Sequence, residues 1–473
     1  MADLSLSGLA TGMDTSSIIE QLVALERQPI YNYENEISEI EQTRGAWRDI
    51  NSRLDNLEDK TTDLKLSSTF TSRTTSSSNE DVATATASND SIEADYSVTV
   101  HSTAKAQRIA GDQMTDSVTA LKDMTGFGSL AAENTITINS TDITINDTDT
   151  LNDVSDKINA ADAGVKASIV DDHLVIETTE TGVDQALDPT KITDANGLLE
   201  GLGVLNADGT IANELQAASD AEIDINGITG ITNSTNTFSE VVEGVTFNIQ
   251  PGAESLGENT TTISVTKDTG KAADTVQAFV DQYNSVMSFL DGKTDYDEEE
   301  EEGAILQGDG TAMRLQSRLR ELVTYSVKDS GDYRTFNSVG IEVDRDGVMS
   351  FDSSKFKESL TESPEEVMNL FKAESSEDGY DGVAVRMDSY LDPLMQTNTG
   401  LIPRRLDFFD NRIEDLNESI EDVERKVEMT RERYVEQFTA METAISEMQQ
   451  QQSWMMSQLS SLGGSTSMMD SMM

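Results

Sequence analysis

The side chains that could do chemistry in this chain are few and scattered. His101 and His173 are the only histidines; each stands alone in the alternating pattern of a strand. Cysteine is absent, which removes thiol nucleophiles, a disulfide scaffold and Cys-based metal sites. No His-Glu-x-x-His, nucleophile elbow or Gly-rich phosphate loop occurs. Asp344, Asp346 and Asp352 resemble a fragment of a calcium loop, yet the third early ligand and the bidentate Glu at the twelfth position are missing. Asp346-Gly347 reads better as the turn of a hairpin over Ile341 to Phe351. The acidic run Asp295 to Glu302 reads as a solvated loop rather than a cation site. Carboxylates are so common throughout that no pair of them is informative. The expectation is a protein with no catalytic residue, no metal and no cofactor.

What the chain does carry is two long apolar stripes at its ends. Leu406, Phe409, Ile413, Leu416, Ile420, Val423, Val427, Tyr434, Phe438, Met441, Ile445, Met448, Met455, Leu459 and Leu462 recur at steps of three and four, with Glu, Arg, Asp and Gln between them. That is the coiled-coil period, and only one face of such a helix can be buried. No Pro or Gly interrupts Leu406 to Leu462, so the pattern predicts one helix of roughly 85 Å. The spacing of eleven between Val427 and Phe438 is a stutter. Near the other end, Ile30, Tyr33, Ile37, Ile40, Trp47, Ile50, Leu54, Leu57 and Leu64 repeat the rhythm. A chain that leaves along one helix, builds domains and returns along another accounts for both.

Length, charge and composition set the outer bounds. A chain of 473 residues is too long for a single core and suggests about three or four domains. Its 88 acidic residues against 33 basic ones give a formal charge of −55. Phosphate binding needs basic patches and none is visible, so nucleic acid and anionic membrane surfaces are poor partners. A salty exterior, where screening tolerates dense carboxylates, explains the balance. Met1 to Ala10 lacks the basic and apolar regions of a cleaved secretory signal. No run approaches the roughly 18 apolar residues of a membrane span.

In chain order, Asp14 looks like the N-cap of a helix through Ile18, Ile19, Leu22 and Val23, which Pro29 should break or kink. A Ser/Thr-rich stretch from Ser67 to Ser78 leads out of the stem into strands around Val82 to Ala87 and Tyr96 to Val100. Residues 133–182 read as a ββαββ unit. Its first hairpin turns at Ser140-Thr141-Asp142, its helix runs from Thr150-Leu151 to about Asn159, and its second hairpin turns at Asp171-Asp172. Residues 183–218, rich in Gly, Asp and Ala, read as loops with short helix. Strands return over Ile223 to Ile249 and Thr260 to Thr266. Helices follow from Thr269, from Met313 to Val323 and from Pro364 to Phe371, and Pro403 precedes the final run.

Several of these segments together resemble one family. Gly8-Leu-Ala-Thr-Gly-Met-Asp14, Gln21-Leu-Val and Glu26-Arg-Gln-Pro-Ile30 are similar to the start of the bacterial flagellar filament cap proteins, the distal hook-associated proteins. Residues 133–182, with Lys157-Ile-Asn159-Ala, resemble the repeat inserted in flagellins and cap proteins. Asn236 to Phe247, Phe279-Val-Asp-Gln-Tyr-Asn284, Leu306-Gln-Gly-Asp-Gly310, Leu315-Gln316, Leu319-Arg320, Val339-Gly-Ile341 and Asp346-Gly347 through Phe351-Asp352 continue the match in order. The chain departs from the family pattern in carrying Gln307 between Leu306 and Gly308-Asp309, and 183–218 matches nothing.

The resemblance implies an α+β multidomain fold in which a discontinuous terminal coiled-coil stem and a helical body carry inserted β-rich head domains. On that reading 1–45 and 415–473 form a leg domain, 46–78 and 268–414 the helical body, 79–107 and 219–267 one head domain, and 108–218 a second. It implies a homo-oligomeric cap at the distal filament tip that promotes folding and insertion of exported flagellin and prevents its leakage. Implied partners are further copies of the chain, flagellin, hook–filament junction proteins and a cytoplasmic export chaperone, with no nucleic acid and no membrane insertion. Export would leave the protein extracellular without a cleaved signal, a route suited to a cysteine-free chain. The terminal stripes would be disordered in the monomer and order on assembly. The residues expected to bind other copies or the filament are Leu4, Leu9, Ile18, Ile19, Leu22, Val23, Met441, Ile445, Met448, Met455, Leu459 and Leu462. Adhesion through exposed head domains over 79–266, to a surface or to mucin, is the alternative, and a junction protein or flagellin proper is a third.

Overall fold

The computed structural model describes residues 12, 14–125, 127, 130–297, 302–328, 330–375 and 380–466, with only the backbone described for 297, 302 and 461–466. These residues divide into two compact units, one formed by those of Met1–Leu66, Thr275–Phe356 and Glu365–Met473, the other by Ser67–Asp274 and Lys357–Pro364. Sequence connectivity therefore inserts the second unit into the first.

The chain leaves along α1 (Thr15–Glu26) and α2 (Gln28–Lys65). Asp14 caps α1, its carboxylate accepting from the Ser17 N–H at 3.1 Å. Pro29 lies in the first turn of α2, where its missing N–H removes no helical hydrogen bond, and the break falls at Arg27. Trp47, Ile50, Leu54, Leu57 and Leu64 are completely buried or nearly so. They are the apolar positions that the three-four spacing selects.

The inserted unit opens with the short α3 (Ser67–Thr71), then β1 (Arg73–Ser77), β2 (Ala83–Ala87), β3 (Ala94–Ser102) and β4 (Arg108–Ala110). Next come β5 (Glu133–Ile138), β6 (Thr141–Asn146), α4 (Leu151–Ala160), β7 (Val165–Val170), β8 (His173–Thr178), β9 (Thr193–Asp194), α5 (Leu198–Gly201) and β10 (Glu214–Gln216). The unit closes with β11 (Ala221–Ile225), β12 (Ile228–Asn233), β13 (Thr237–Val242), β14 (Val245–Ile249) and β15 (Thr260–Lys267).

Two cores organise these strands. The sheets β1-β15-β3-β11-β12 and β13-β14-β2 share one core, built from alternate residues such as Val98, Val100, Ile223, Ile263, Phe238 and Phe247. Tyr96 meets Phe247 edge to face at 5.7 Å. The sheets β10-β4-β8-β7 and β6-β5-β9 bury Ile136, Ile145, Leu174 and Ile176 in a second core with α4. A reciprocal capping box of Thr150 and Asp153 starts α4. The two hairpins flanking α4 thus belong to different sheets. The first hairpin turns one residue earlier than its sequence suggests, at Asn139-Ser140, both at positive φ. Asp171-Asp172 turns the second in the same left-handed conformation.

The segment 183–218 is more than connection. Leu187, Ile192, Leu198, Leu199, Leu202, Val204 and Leu205 all enter the second core. Its composition points to loops because the apolar residues are spaced by turns rather than by a helix or strand period, and burial follows the turns.

The return path runs through α6 (Thr269–Thr294), β16 (Tyr296–Asp297), β17 (Glu302–Gly303), α7 (Gly310–Thr324), β18 (Ile341–Val343), β19 (Met349–Phe351), α8 (Ser353–Glu362), α9 (Pro364–Lys372), α10 (Val383–Met395) and α11 (Leu401–Thr466). Helices α8 and α10 have no counterpart in the sequence reading; Pro393 inside α10 masks its pattern. Pro403 falls within the first turn of α11 rather than before it. In the core of this unit the rings of Phe279, Phe336, Phe371 and Phe356 form a chain with centroid separations of 6.3, 5.5 and 6.4 Å.

The β18–β19 hairpin turns as expected, with Gly347 at φ +86°. A Cβ there would meet Arg320 Nε at 2.7 Å, so Gly is required by space as well as by conformation. Asp344 accepts from the Asp346 and Val348 N–H groups at 2.9 and 2.8 Å. Asp352 accepts from Ser354 and Lys355 N–H at 3.0 and 3.1 Å. These carboxylates hold a turn and a helix start.

Asp55 and Glu58 in the helical unit and Asp153 and Asp188 in the β-rich unit carry opposite pKa shifts. In the helical unit, burial and then neighbouring carboxylates push Asp55 and Glu58 up. In the β-rich unit, hydrogen bonds to the Thr150 backbone and hydroxyl hold Asp153 down, and the Thr190 hydroxyl and backbone hold Asp188 down. A raised folded pKa stabilises below the unfolded carboxylate value, and that stability is lost as pH rises through the folded one; a depressed pKa does the reverse. Lowering the pH from neutral to the upper carboxylate range should therefore raise the urea midpoint of the helical unit, read by buried Trp47 fluorescence, and Glu58→Gln should diminish the gain. Further acidification through the carboxylate range should weaken the β-rich unit, read by amide exchange. Separately, Leu199→Ala should cost the β-rich unit about 2–5 kcal/mol in chemical unfolding.

Candidate assembly interface

The expected site is a surface, and it is built on α1, α2 and α11. Helix α11 has 66 residues, ~100 Å at 1.5 Å per residue. It runs antiparallel to α2: Arg412 Nη2 donates to Glu36 Oε1 at 2.6 Å, Arg44 pairs with Asp410, and the Arg405 guanidinium lies 4.6 Å from the Trp47 ring centroid. Arg405 also pairs with Asp309. That carboxylate caps α7 by accepting from Thr311 N–H at 2.8 Å. One arginine thus ties α7, α11 and the fully buried Trp47 together.

The residues of the family-like motifs in the body turn out to be fasteners of this kind. Asn284 accepts from Met349 N–H at 2.7 Å and donates to Met349 C=O at 2.8 Å, fixing α6 to β19. The Tyr283 hydroxyl beside it is buried with no hydrogen-bond partner among the described residues, and burial pushes its pKa up. Gly308 takes φ +76° ahead of the Asp309 cap. Gln307 sits in the turn, its N–H donating to Ala304 C=O at 2.8 Å.

Beyond α2, the stripe of α11 is covered by α1. Ile19, Val23 and Val427 are buried together, with Val423, Tyr434, Val435 and Phe438 packed against them. Both Tyr434 and Val435 face this cluster, so the apolar seam shifts by one position within the stutter while the helix continues. Four of the proposed contact residues lie on α1: Ile19 and Val23 face α11 within the chain, Leu22 is half-buried and Ile18 is 37% exposed. Met441 and Ile445 on α11 are half-buried.

Cover then ends. Met448, Met455 and Leu459 are 60%, 57% and 67% exposed. Trp454 and Met456, which the three-four spacing passes over, are equally bare. Their signal was composition: two large apolar residues among Gln and Ser. Leu4 and Leu9 lie outside the described residues, as does the side chain of Leu462. Among the described residues no group of His, Cys, Asp or Glu has the geometry of a metal site, and no helix is long and apolar enough to cross a membrane. His101 pairs with Asp224 at 2.8 Å, and His173 Nδ1 meets the Gly111 carbonyl at 2.8 Å.

A discontinuous helical stem, a fastened helical body and an uncovered helical stripe define a structural assembly protein. Comparison with known proteins makes this particular. The model described as flagellar hook-associated protein 2 C-terminus matches residues 218–450, its N-terminal counterpart matches 11–107, and the flagellin hook IN motif matches 134–180. The A-type flagellar hook-associated protein 2 of Pseudomonas aeruginosa is 27% identical, the alignment covering 97% of this chain and 98% of that one. The flagellar hook-associated protein 2 of Escherichia coli K12 is 25% identical over the same shares. The crystal structure of the D1-D2-D3 domains of the Escherichia coli flagellar cap protein FliD superposes with a TM-score of 0.58 at 24% identity, covering 77% of this chain and 99% of that one; this likeness speaks for the fold. The chain belongs to the flagellar hook-associated protein 2 family, the flagellar cap proteins, and its role is structural capping of the filament.

The inner and outer parts of the stripe should respond differently to charge. Ile19→Asp should open the α1–α11 pairing, seen as lost amide-exchange protection along α1. Met455→Asp should leave monomer stability within about 0.5 kcal/mol, as expected for an exposed site.

Proposed function

We propose that this chain self-assembles into a cap at the distal flagellar tip, with 1–45 and 415–473 as the leg that meets the filament. The body would then be 46–78 and 268–414, and the head domains 79–107 with 219–267 and 108–218. The observation that carries this reading is the bare segment of α11 from Met448 to Leu459, continuous with a stripe that is covered up to Phe438. Each large apolar side chain moved from water into a contact contributes on the order of 1.5–3 kcal/mol. Several on one helix face supply a substantial drive for association, with other copies or with filament subunits as the cover. The interface comprises Leu4, Leu9, Ile18, Leu22, Met441, Ile445, Met448, Met455, Leu459 and Leu462, with Ile19 and Val23 holding α1 in place beneath it.

In this reading the cap acts without catalysis. It shelters arriving flagellin while that chain folds, and it blocks its escape. Junction proteins would be its neighbours at the start of assembly and an export chaperone its partner before secretion, with export to the flagellum tip needing no cleaved signal. Adhesion through the β-rich unit is less favoured, because the relatives across nearly the full length are hook-associated proteins.

Deleting the gene should leave hooks bare and release flagellin as monomer into the medium. Restoring it with Met448→Asp, Met455→Asp and Leu459→Asp combined should yield a folded, secreted chain that does not rescue filament growth. Normal filaments with that triple variant would refute the role assigned to the stripe.

A further inference from the structure

Helix α11 changes character at Met448. From Leu406 to Glu447 it holds 13 acidic and 5 basic residues, whereas the 22 residues from Met448 to Met469 hold no charged side chain. No other uncharged run in the chain is as long, so charge and cover are lost at the same point of the helix. In a chain of net charge −55, this removes the repulsion that would keep identical segments apart.

The spacing also fixes a register. Ile445, Gln452 and Leu459 recur every seven residues, and Met441, Met448 and Met455 precede them by four residues each. The first set therefore takes position a of a heptad and the second position d. Gln452 stands in the middle of this apolar seam, exposed like Met448 and Met455 on either side. The e and g positions beside the exposed seam are Gln449, Gln451, Met456 and Gln458. In a coiled coil these are the places where charges of facing helices meet, and here they are neutral.

Both features select the partner. A continuous apolar stripe on a different protein would cover Met448, Met455 and Leu459 but leave the Gln452 amide without a hydrogen-bond partner. A second copy lying parallel and in register brings Gln452 opposite Gln452, and the two amides can donate to and accept from each other. An antiparallel copy would set position a against position d, and so Gln452 against an apolar side chain. Copies related by rotation about one axis run parallel along it.

We propose that the exposed end of α11, residues 448–459, forms a parallel, in-register coiled coil with the same segment of a second copy of this chain, Gln452 layered on Gln452. The inference rests on the self-assembly reading above and names other copies, rather than filament subunits, as the cover. The Gln452 layer sets register at some expense in stability, as a polar residue at a single a position does. Added salt tightens the contact, because it screens the carboxylates carried by the rest of each copy.

The absence of cysteine makes the test free of background. Full-length chains bearing Met448→Cys alone or Leu459→Cys alone are oxidised, separately and as a mixture, and sedimentation is measured alongside. The expected result is that each variant joins to its own kind, identified by mass spectrometry. Disulfides that form only between Met448→Cys of one chain and Leu459→Cys of another overturn the parallel register. Gln452→Glu should weaken self-association by about tenfold or more. Gln452→Leu should hold the copies together but spread the oligomer sizes, and Gln450→Glu, on the opposite face, should change neither. If the wild-type chain assembles yet neither cysteine joins to its own kind and Gln452→Glu is silent, the seam is overturned and the assembly reading stands. Amide exchange over 448–459 that is as slow in dilute monomer as in the assembly overturns the second copy as occupant, since the chain then covers its own stripe. Wild-type chain that never self-associates, at any concentration or ionic strength, overturns both readings.

Discussion

Helix α11 spans 66 residues and carries an apolar face that begins at Leu406 and runs on to Leu459, and a face of that length is stable only where something covers it, because isolated helices gain little from hydrogen bonding alone. The antiparallel partner α2 supplies the cover over the first part, α1 over the middle, and no described residue supplies it from Met448 onward. One side chain fastens the first part to the body. Arg405 lies over Trp47 and reaches Asp309, so the helix pair, the body helix α7 and its cap share one side chain. The β-rich unit can be inserted between α2 and α6 because the pairing of the ends does not depend on what the chain builds between them.

In the proposed reading, function rests on graded burial along one helix. Phe409, Leu416 and Val427 are buried, Tyr434, Phe438, Met441 and Ile445 are half-covered, and Met448, Met455 and Leu459 stand in water. The surface polarity of the rest of the chain gives this gradient its meaning. With a net charge of −55, copies repel one another except where apolar surface offsets the charge. The exposed stripe is such a place, and it lies in the helical unit.

Much of the fold was legible in the sequence. The three-four spacing located α2 and α11, Asp14 and Thr150 marked helix starts, and Asp346-Gly347 and Asp171-Asp172 marked turns. What escaped had identifiable causes. Helix α10 contains Pro393, a breaker overruled by packing of Met387 and Leu391. The Asn139-Ser140 turn was displaced by one residue because Ser-Thr-Asp has the more familiar turn composition, while Asn tolerates the left-handed conformation. Residues 183–218 buried seven apolar side chains that no regular period announces. Within the stripe, the spacing found Met448, Met455 and Leu459 but passed over Trp454 and Met456.

By itself the sequence determined the periods, caps and turns, the excess of carboxylates and the family of the chain, because these are set by local geometry and by residue identity. Which stretch of a periodic stripe is covered was decided only by the tertiary structure. Ile19 and Met455 occupy equivalent apolar positions in their patterns, yet one is buried against Val427 and the other is bare. A period says that a face is apolar; whether a neighbour reaches it depends on where α1 begins, where α2 ends and how the long helix lies between them.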